Sequence, residues 1–66
     1  MRLHYDKKVD ALYLRLDDST IVESEEVKPG IVLDFNTARE VVGIEVIDLK
    51  RRVPTVDLTR LKVEVA

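Results

Sequence analysis

The stretch that decides the fold runs from Gly30 to Asp48 and reads GIVLDFNTAREVVGIEVID. Two runs rich in β-branched and aromatic residues flank a polar tetrapeptide, Asn36 to Arg39. Such side chains pack well on a pleated, half-buried surface, so the composition favours strands and predicts a β-hairpin. Pro29 and Gly30, at the start of this stretch, signal a turn, because Pro presets φ and Gly supplies positive φ.

Alternation along the hairpin assigns its side chains to two faces. One face is expected to form the centre of the core, with Ile31, Leu33, Phe35, Val42, Ile44 and Val46. The other carries Val32, Val41 and Ile47, joined by Tyr13 from an earlier strand. Several apolar residues on a free sheet face need a partner, so we interpret these four as a candidate interface for a homodimer or another protein.

The residues before the hairpin predict three strands, at positions 2–5, 11–16 and 21–27. In the second, strict alternation places Leu12, Leu14 and Leu16 on one face. The third is heavily charged, which suits a strand near a sheet edge, where acidic side chains oppose pairing with another molecule.

The residues after the hairpin predict less regular structure. A single helical turn is predicted at 56–60, with Thr55 as N-cap and Asp57 in the first turn. Alternation returns at 61–65 and predicts a candidate terminal strand that joins the sheet or crosses to a neighbouring chain. The expected fold is one mainly β (β-dominated α+β) domain, residues 1–66, built as an antiparallel meander of about five strands with one short helical turn near the C-terminus.

The composition bounds the class of protein. A chain of 66 residues buries only about 60% of its unfolded surface, and oligomerisation is a usual supplement to so small a core. There is no cysteine, no apolar signal core and no apolar run long enough to span a bilayer, so we expect a cytoplasmic protein without a membrane partner. Charged residues make up 36% of the chain, and this favours a thermophilic protein, which a high melting midpoint would support.

Charge is unevenly distributed along the chain: the net charge is −5 over residues 1–48 and +3 over residues 49–66. The candidate basic patch consists of Lys50, Arg51, Arg52, Arg60 and Lys62. No aromatic residues interleave with it to stack bases, and the net charge of −2 opposes phosphate binding. We therefore expect this region to pack near the acidic sheet, within one chain or across a dimer, and nucleic acid to be an unlikely partner.

The titratable residues predict no catalytic, cofactor-binding or metal site. His4 is the single histidine, so with no cysteine neither a Cys-His pair nor a multi-His site can be built within one chain. Glu23, Glu25 and Glu26 alternate between faces and lack the ligand spacing of a calcium loop. The carboxylates of Asp34 and Glu45 lie on opposing strands, so either strand register offsets them or a cation such as Arg15 or a tail lysine lies between them, and we favour neutralisation by a neighbour. Arg15 is predicted to lie on the same face of its strand as Tyr13, because the two are two positions apart.

Four segments together resemble a known family: DKKVDALYLRL at 6–16, ESEEV at 23–27, GIVLDF at 30–35 and VGIEV at 42–46. They are similar to the small prokaryotic family called domain of unknown function 2283. The resemblance implies a compact β-rich fold and no established activity or catalytic residues. The family usually has Gly in the hairpin turn where this chain has Arg39, which predicts either positive φ at Arg39 or a locally altered turn.

These observations favour a non-enzymatic protein-interaction or structural module that works as a homo-oligomer. Family members sometimes sit beside small toxin-like partners, so the resemblance leaves a nucleic-acid-binding or antitoxin-like regulatory protein as one alternative. The other alternative is an enzyme whose site is shared between subunits, since that arrangement escapes the argument from a single chain.

Overall fold

The computed structural model describes residues 1–66 and is mainly β, which confirms the predicted fold class. The elements in chain order are β1 (Arg2–Asp6), β2 (Ala11–Arg15), β3 (Glu23–Lys28), β4 (Ile31–Phe35), β5 (Val41–Ile47) and one helix, α1 (Leu49–Arg52). All five predicted strands before residue 48 are present, with bounds that shift by one or two residues.

The strands form one antiparallel sheet in the order β1-β2-β5-β4-β3. This corrects the expected meander, because β2 pairs with β5 and the chain crosses from β2 to the far edge before β3 begins. The order puts the apolar β2, β4 and β5 in the middle of the sheet and the charged β3 at an edge, where its side chains remain hydrated. The Arg15 side chain holds the start of the crossing segment by donating to the carbonyls of Asp17 and Ser19.

Strand register assigns one apolar face to the sheet, which we call the open face. It carries Leu12, Leu14, Ile31, Leu33, Phe35, Ile44 and Val46. Five of the six residues predicted for the core lie on this face, and the sixth, Val42, lies at a bulge beside it. Of the six, only Val42 is fully buried. The others stay half-buried because the chain supplies no second layer of secondary structure to cover the sheet.

The hairpin turn between β4 and β5 is built around the buried Asn36. Its Oδ1 accepts hydrogen bonds from the amides of Ala38 and Glu40, each at 3.0 Å, and its Nδ2 donates to Glu40 Oε1 at 3.0 Å. Arg39 has φ 63°, so the predicted left-handed conformation is confirmed. A register shift follows, in which both Val41 and Val42 oppose Phe35.

The helical segment lies earlier than predicted. Helix α1 spans Leu49–Arg52, directly after β5, while residues 56–60 form turns. The cause is a partner from outside the segment: the Leu49 amide donates to the Asp10 carbonyl at 3.0 Å and the Lys50 amide to the Asp10 carboxylate at 3.0 Å. These bonds satisfy amides at the start of a helix, which otherwise lack partners.

The tail, residues 53–66, contains no strand, so the candidate terminal strand does not form within the single chain. Its alternating side chains are exposed, from 66% at Leu61 to 91% at Val65. A strand requires an edge to pair with, and these residues form no strand pairing with either edge of their own sheet.

Candidate interaction surface

The open face has two chemically different flanks. On the β3 side, Glu25 lies opposite Leu33 and Glu23 opposite Phe35, so both carboxylates stand at the rim of the apolar face. On the β1 side, the first half of the tail runs beside the strands and encloses a groove of about 460 Å³. The groove is lined by Leu3, Tyr5, Leu12, Val56, Asp57, Leu58, Arg60, Leu61 and Lys62. One flank therefore carries the carboxylates of Glu23 and Glu25, and the other carries the cations of Arg60 and Lys62 together with the carboxylate of Asp57.

The seven apolar side chains of the open face are only partly buried. The chain exposes 5441 Å², whereas a compact monomer of 7.6 kDa exposes about 4,300 Å². The radius of gyration is 12.8 Å, against about 10.8 Å for a compact chain of this length. The molecule is thus a flat sheet with more exposed surface than its size requires.

The opposite face of the sheet carries three of the four residues predicted as an interface. Register places Tyr13, Val32 and Ile47 there, half-buried and on the same side as Glu45. Val41 lies at the bulge opposite Phe35, apart from the other three along the sheet. The candidate interface is therefore smaller than predicted.

A polar network occupies the middle of this opposite face. The Tyr13 hydroxyl donates to Asp34 Oδ2 at 2.8 Å, and the Ser24 hydroxyl donates to Asp34 Oδ1 at 2.5 Å. Partial burial, then the hydrogen bond to Asp34, raise the pKa of Tyr13, and the nearby Arg15 partly opposes this. The phenol is held neutral as a donor, which suits a structural bridge across β2, β4 and β3 and opposes use of Tyr13 as a nucleophile.

The carboxylate pair considered from the sequence is separated by register. Asp34 lies opposite Gly43 and Glu45 opposite Val32, so the two carboxylates are not direct cross-strand neighbours. Of the two alternatives, register offsets them, which removes the like-charge repulsion that direct opposition would cause.

Asp10 ties the first hairpin to α1, a role that sequence reasoning missed. Its carboxylate accepts the Tyr5 hydroxyl at 2.6 Å and the Lys50 amide at 3.0 Å, and Asp10 itself has φ 53°. The hydrogen bond to Asp10 is the main cause that raises the pKa of Tyr5. The sequence showed Asp10 only as a turn residue, because a partner 40 positions away leaves no local signal.

The five residues of the candidate basic patch are divided between two places. Arg51 and Arg52 line a cavity of about 580 Å³ beside the β3–β4 turn, and Arg60 and Lys62 line the groove. Lys50 stands 6.0 Å from the centroid of the Tyr5 ring.

Each of the other four basic side chains has a partner close by in its own chain. Arg51 pairs with Asp48, Arg60 with Asp57 and Lys62 with Glu64. Arg52 donates to the carbonyls of Ile47 and Pro29. The C-terminal cations therefore form no ion pair with the acidic strand β3. Arg51 and Arg52 nevertheless lie near it, in the cavity that Glu26 of β3 also lines, so part of the basic region packs near the acidic sheet as expected.

His4 lies exposed on edge strand β1, opposite Tyr13. No three metal-ligating side chains come together around it or elsewhere in the structure. The single helix is four residues long, too short to cross a bilayer.

The fold and the surface define a small single-sheet β protein with one apolar face open to solvent. The chain belongs to the family described as Protein of unknown function (DUF2283), whose model matches residues 2–50. The matched region contains all five strands and the Asp10 contact to the start of α1. Searches of the curated proteins and of the solved structures gave no match.

Proposed function

We propose that this protein is a non-enzymatic interaction module that works as a homo-oligomer and binds through its open face. The observation that carries the proposal is the half-burial of seven apolar side chains on one face of a single-layer sheet. Burying apolar area stabilises a protein by roughly 25 cal/mol per Å², so a partner that covers this face contributes stability that the small core lacks.

The open face is favoured over the opposite face because of what each presents. The opposite face has the Tyr13, Asp34 and Ser24 side chains hydrogen-bonded to one another at its centre. Burying such a network under a partner adds desolvation without supplying new hydrogen bonds. The open face is apolar at its centre and charged only at its flanks, which is the usual anatomy of a protein interface.

Protein binding is also favoured over nucleic-acid binding. The cations are divided between two separate cavities, whereas phosphate contacts require a broad, continuous basic footprint. A filter-binding assay at low salt tests this, since phosphate-dependent binding is strongest there.

The decisive measurement is the solution mass by light scattering at micromolar concentration, where we expect a multiple of 7.6 kDa. Leu33 and Val32 are adjacent on β4, both half-buried, and face opposite sides of the sheet. Leu33→Asp should therefore reduce the mass to that of one chain, and Val32→Asp should leave the oligomer intact. The reverse pattern would move the interface to the opposite face, and a monomeric wild type would refute the proposal.

A second measurement uses the unmodified chain, in case Leu33→Asp does not fold. The melting midpoint of an oligomer rises with protein concentration, because dissociation accompanies unfolding. We expect the midpoint to increase over a hundredfold range of concentration, and a constant midpoint would contradict the proposal.

A further inference from the structure

We infer that the occupant of the open face is a second copy of this chain, packed face to face about a two-fold axis that runs along the strands. The inference rests on the proposed function and adds the partner's orientation. It places Glu23 and Glu25 of each protomer against the partner's Arg60 and the partner's Lys62.

The distribution of charge on the open face supports this orientation. Glu23 and Glu25 are exposed at the β3 edge, and two cations, Arg60 and Lys62, line the groove at the β1 edge together with one carboxylate, Asp57. The present partners of the two cations are exposed pairs within the tail, Arg60 with Asp57 and Lys62 with Glu64. Exposed pairs of this kind contribute about 0 to 1 kcal/mol, so they do not prevent the cations from pairing across an interface.

Symmetry turns the charge distribution into a choice between two arrangements. Two aligned sheets that pack face to face can be related by an axis across the strands or along them. An axis across the strands would set β3 against the partner's β3 and bring four carboxylates together. An axis along the strands sets β5 on the partner's β5, β4 on the partner's β2, and β3 on the partner's β1 and tail.

The second arrangement also matches apolar with apolar side chains. The central β5 contributes Ile44 and Val46 to its own symmetry mate, and Leu33 of β4 lies over the β2 of the other copy, which carries Leu12 and Leu14. The product is a ten-stranded sandwich whose core is made from two identical half-cores, the usual form of a two-layer β domain.

The chain as a whole exposes more surface than a compact monomer of its mass. The chain exposes about 1,100 Å² more than a compact monomer of its mass, and a standard interface buries about 800 Å² per partner. The exposed end of the tail, including Leu61, Val63 and Val65, contributes part of this excess.

The test is a charge-reversal cycle measured by sedimentation at low and moderate salt. Glu23→Lys/Glu25→Lys and Arg60→Glu/Lys62→Glu should each weaken the homodimer about tenfold, with the effect shrinking as salt is added. Mixing the two variants should restore a heterodimer at least as tight as the wild type. Glu26→Lys is the matched control, because Glu26 lies on the same strand and the other face, and it should leave dimerisation unchanged.

Cross-linking distinguishes the orientation from the proposed function. The chain has no cysteine, so Glu25→Cys and Lys62→Cys each introduce one thiol. A short bismaleimide should link Glu25→Cys chains to Lys62→Cys chains and should not link Glu25→Cys chains to each other. Links between two Glu25→Cys chains in a dimer that Leu33→Asp disrupts would overturn the orientation and leave the proposed function standing. A wild type that sediments as a monomer would overturn both.

Discussion

The Tyr13 hydroxyl occupies the space that a side chain on Gly43 would fill: a Cβ at Gly43 would stand 2.3 Å from Tyr13 Oη and 2.9 Å from Asp34 Oδ2. Gly43→Ala should therefore push the phenol off its hydrogen bond to Asp34. Overpacking of this kind destabilises a protein by about 1 to 3 kcal/mol, which urea unfolding would measure.

The cause is tested by the same change in a Tyr13→Phe background. Removing the hydroxyl takes away the closest contact, so the two substitutions should not add: the double variant should be more stable than the sum of the single effects by about 1 kcal/mol. Additive losses would show that Gly43 is required for some reason other than the room it leaves for Tyr13.

Local chemistry made the hairpin predictable from sequence. Pro29 and Gly30 mark its start, and branched residues mark its strands. The family resemblance identified Arg39 as the strained turn residue, because the family usually has Gly at that position. The confirmed features depend on neighbours in sequence, where alternation and turn chemistry act directly. The sequence also assigned Tyr13, Val32 and Ile47 correctly to one face, because alternation alone decides that.

Arg39 has φ 63°, a conformation that suits Gly and strains a residue with a Cβ. Arg39→Gly should relieve this strain and raise the free energy of unfolding by about 0.5 to 1 kcal/mol, less what Gly adds to the entropy of the unfolded chain. Thr37→Gly in the same turn is the matched control. Thr37 is exposed and does not have positive φ, so Gly there should destabilise. A loss of stability in Arg39→Gly would contradict the argument.

Asn36 holds the hairpin turn through both ends of its amide. Asn36→Ala should destabilise the protein by about 1 to 3 kcal/mol, because the amides of Ala38 and Glu40 lose their acceptor in a partly buried site. Asn36→Asp keeps the acceptor but places a second carboxylate beside Glu40, so it should also destabilise. Adding Glu40→Gln to Asn36→Asp supplies a donor again and should recover most of the loss in chemical denaturation. No recovery would show that the contact to residue 40 has little effect.

Contacts between distant residues explain what the sequence could not predict. The strand order depends on β2 meeting β5 about 30 positions away, and α1 begins where Asp10 can accept its amides. The burial of the open face depends on a second layer that is absent from the chain, and alternation cannot show whether a face is covered. Amphipathic strands identify the apolar side of a sheet, but the number of layers decides whether that side is covered or open to solvent.

Asp57 accepts hydrogen bonds from the Thr59 amide at 3.0 Å and the Thr59 hydroxyl at 2.6 Å, and the hydroxyl is the main cause that holds the pKa of Asp57 below its ordinary value of 3.8. Because the pKa of Asp57 is lower in the folded chain than in the unfolded chain, the ionised carboxylate stabilises the fold when the pH is above the ordinary pKa. This contribution is lost as the pH falls through the pKa of the folded chain. Thr59→Val removes the hydroxyl and keeps the amide and the side-chain shape. An NMR titration should show the pKa of Asp57 rising part of the way to 3.8, while that of Asp17, whose hydrogen bonds to Ser19 also lower its pKa, stays in place. An unchanged Asp57 titration would mean that the turn does not form in solution, and the groove that residues 56–62 line would then lack its basic wall.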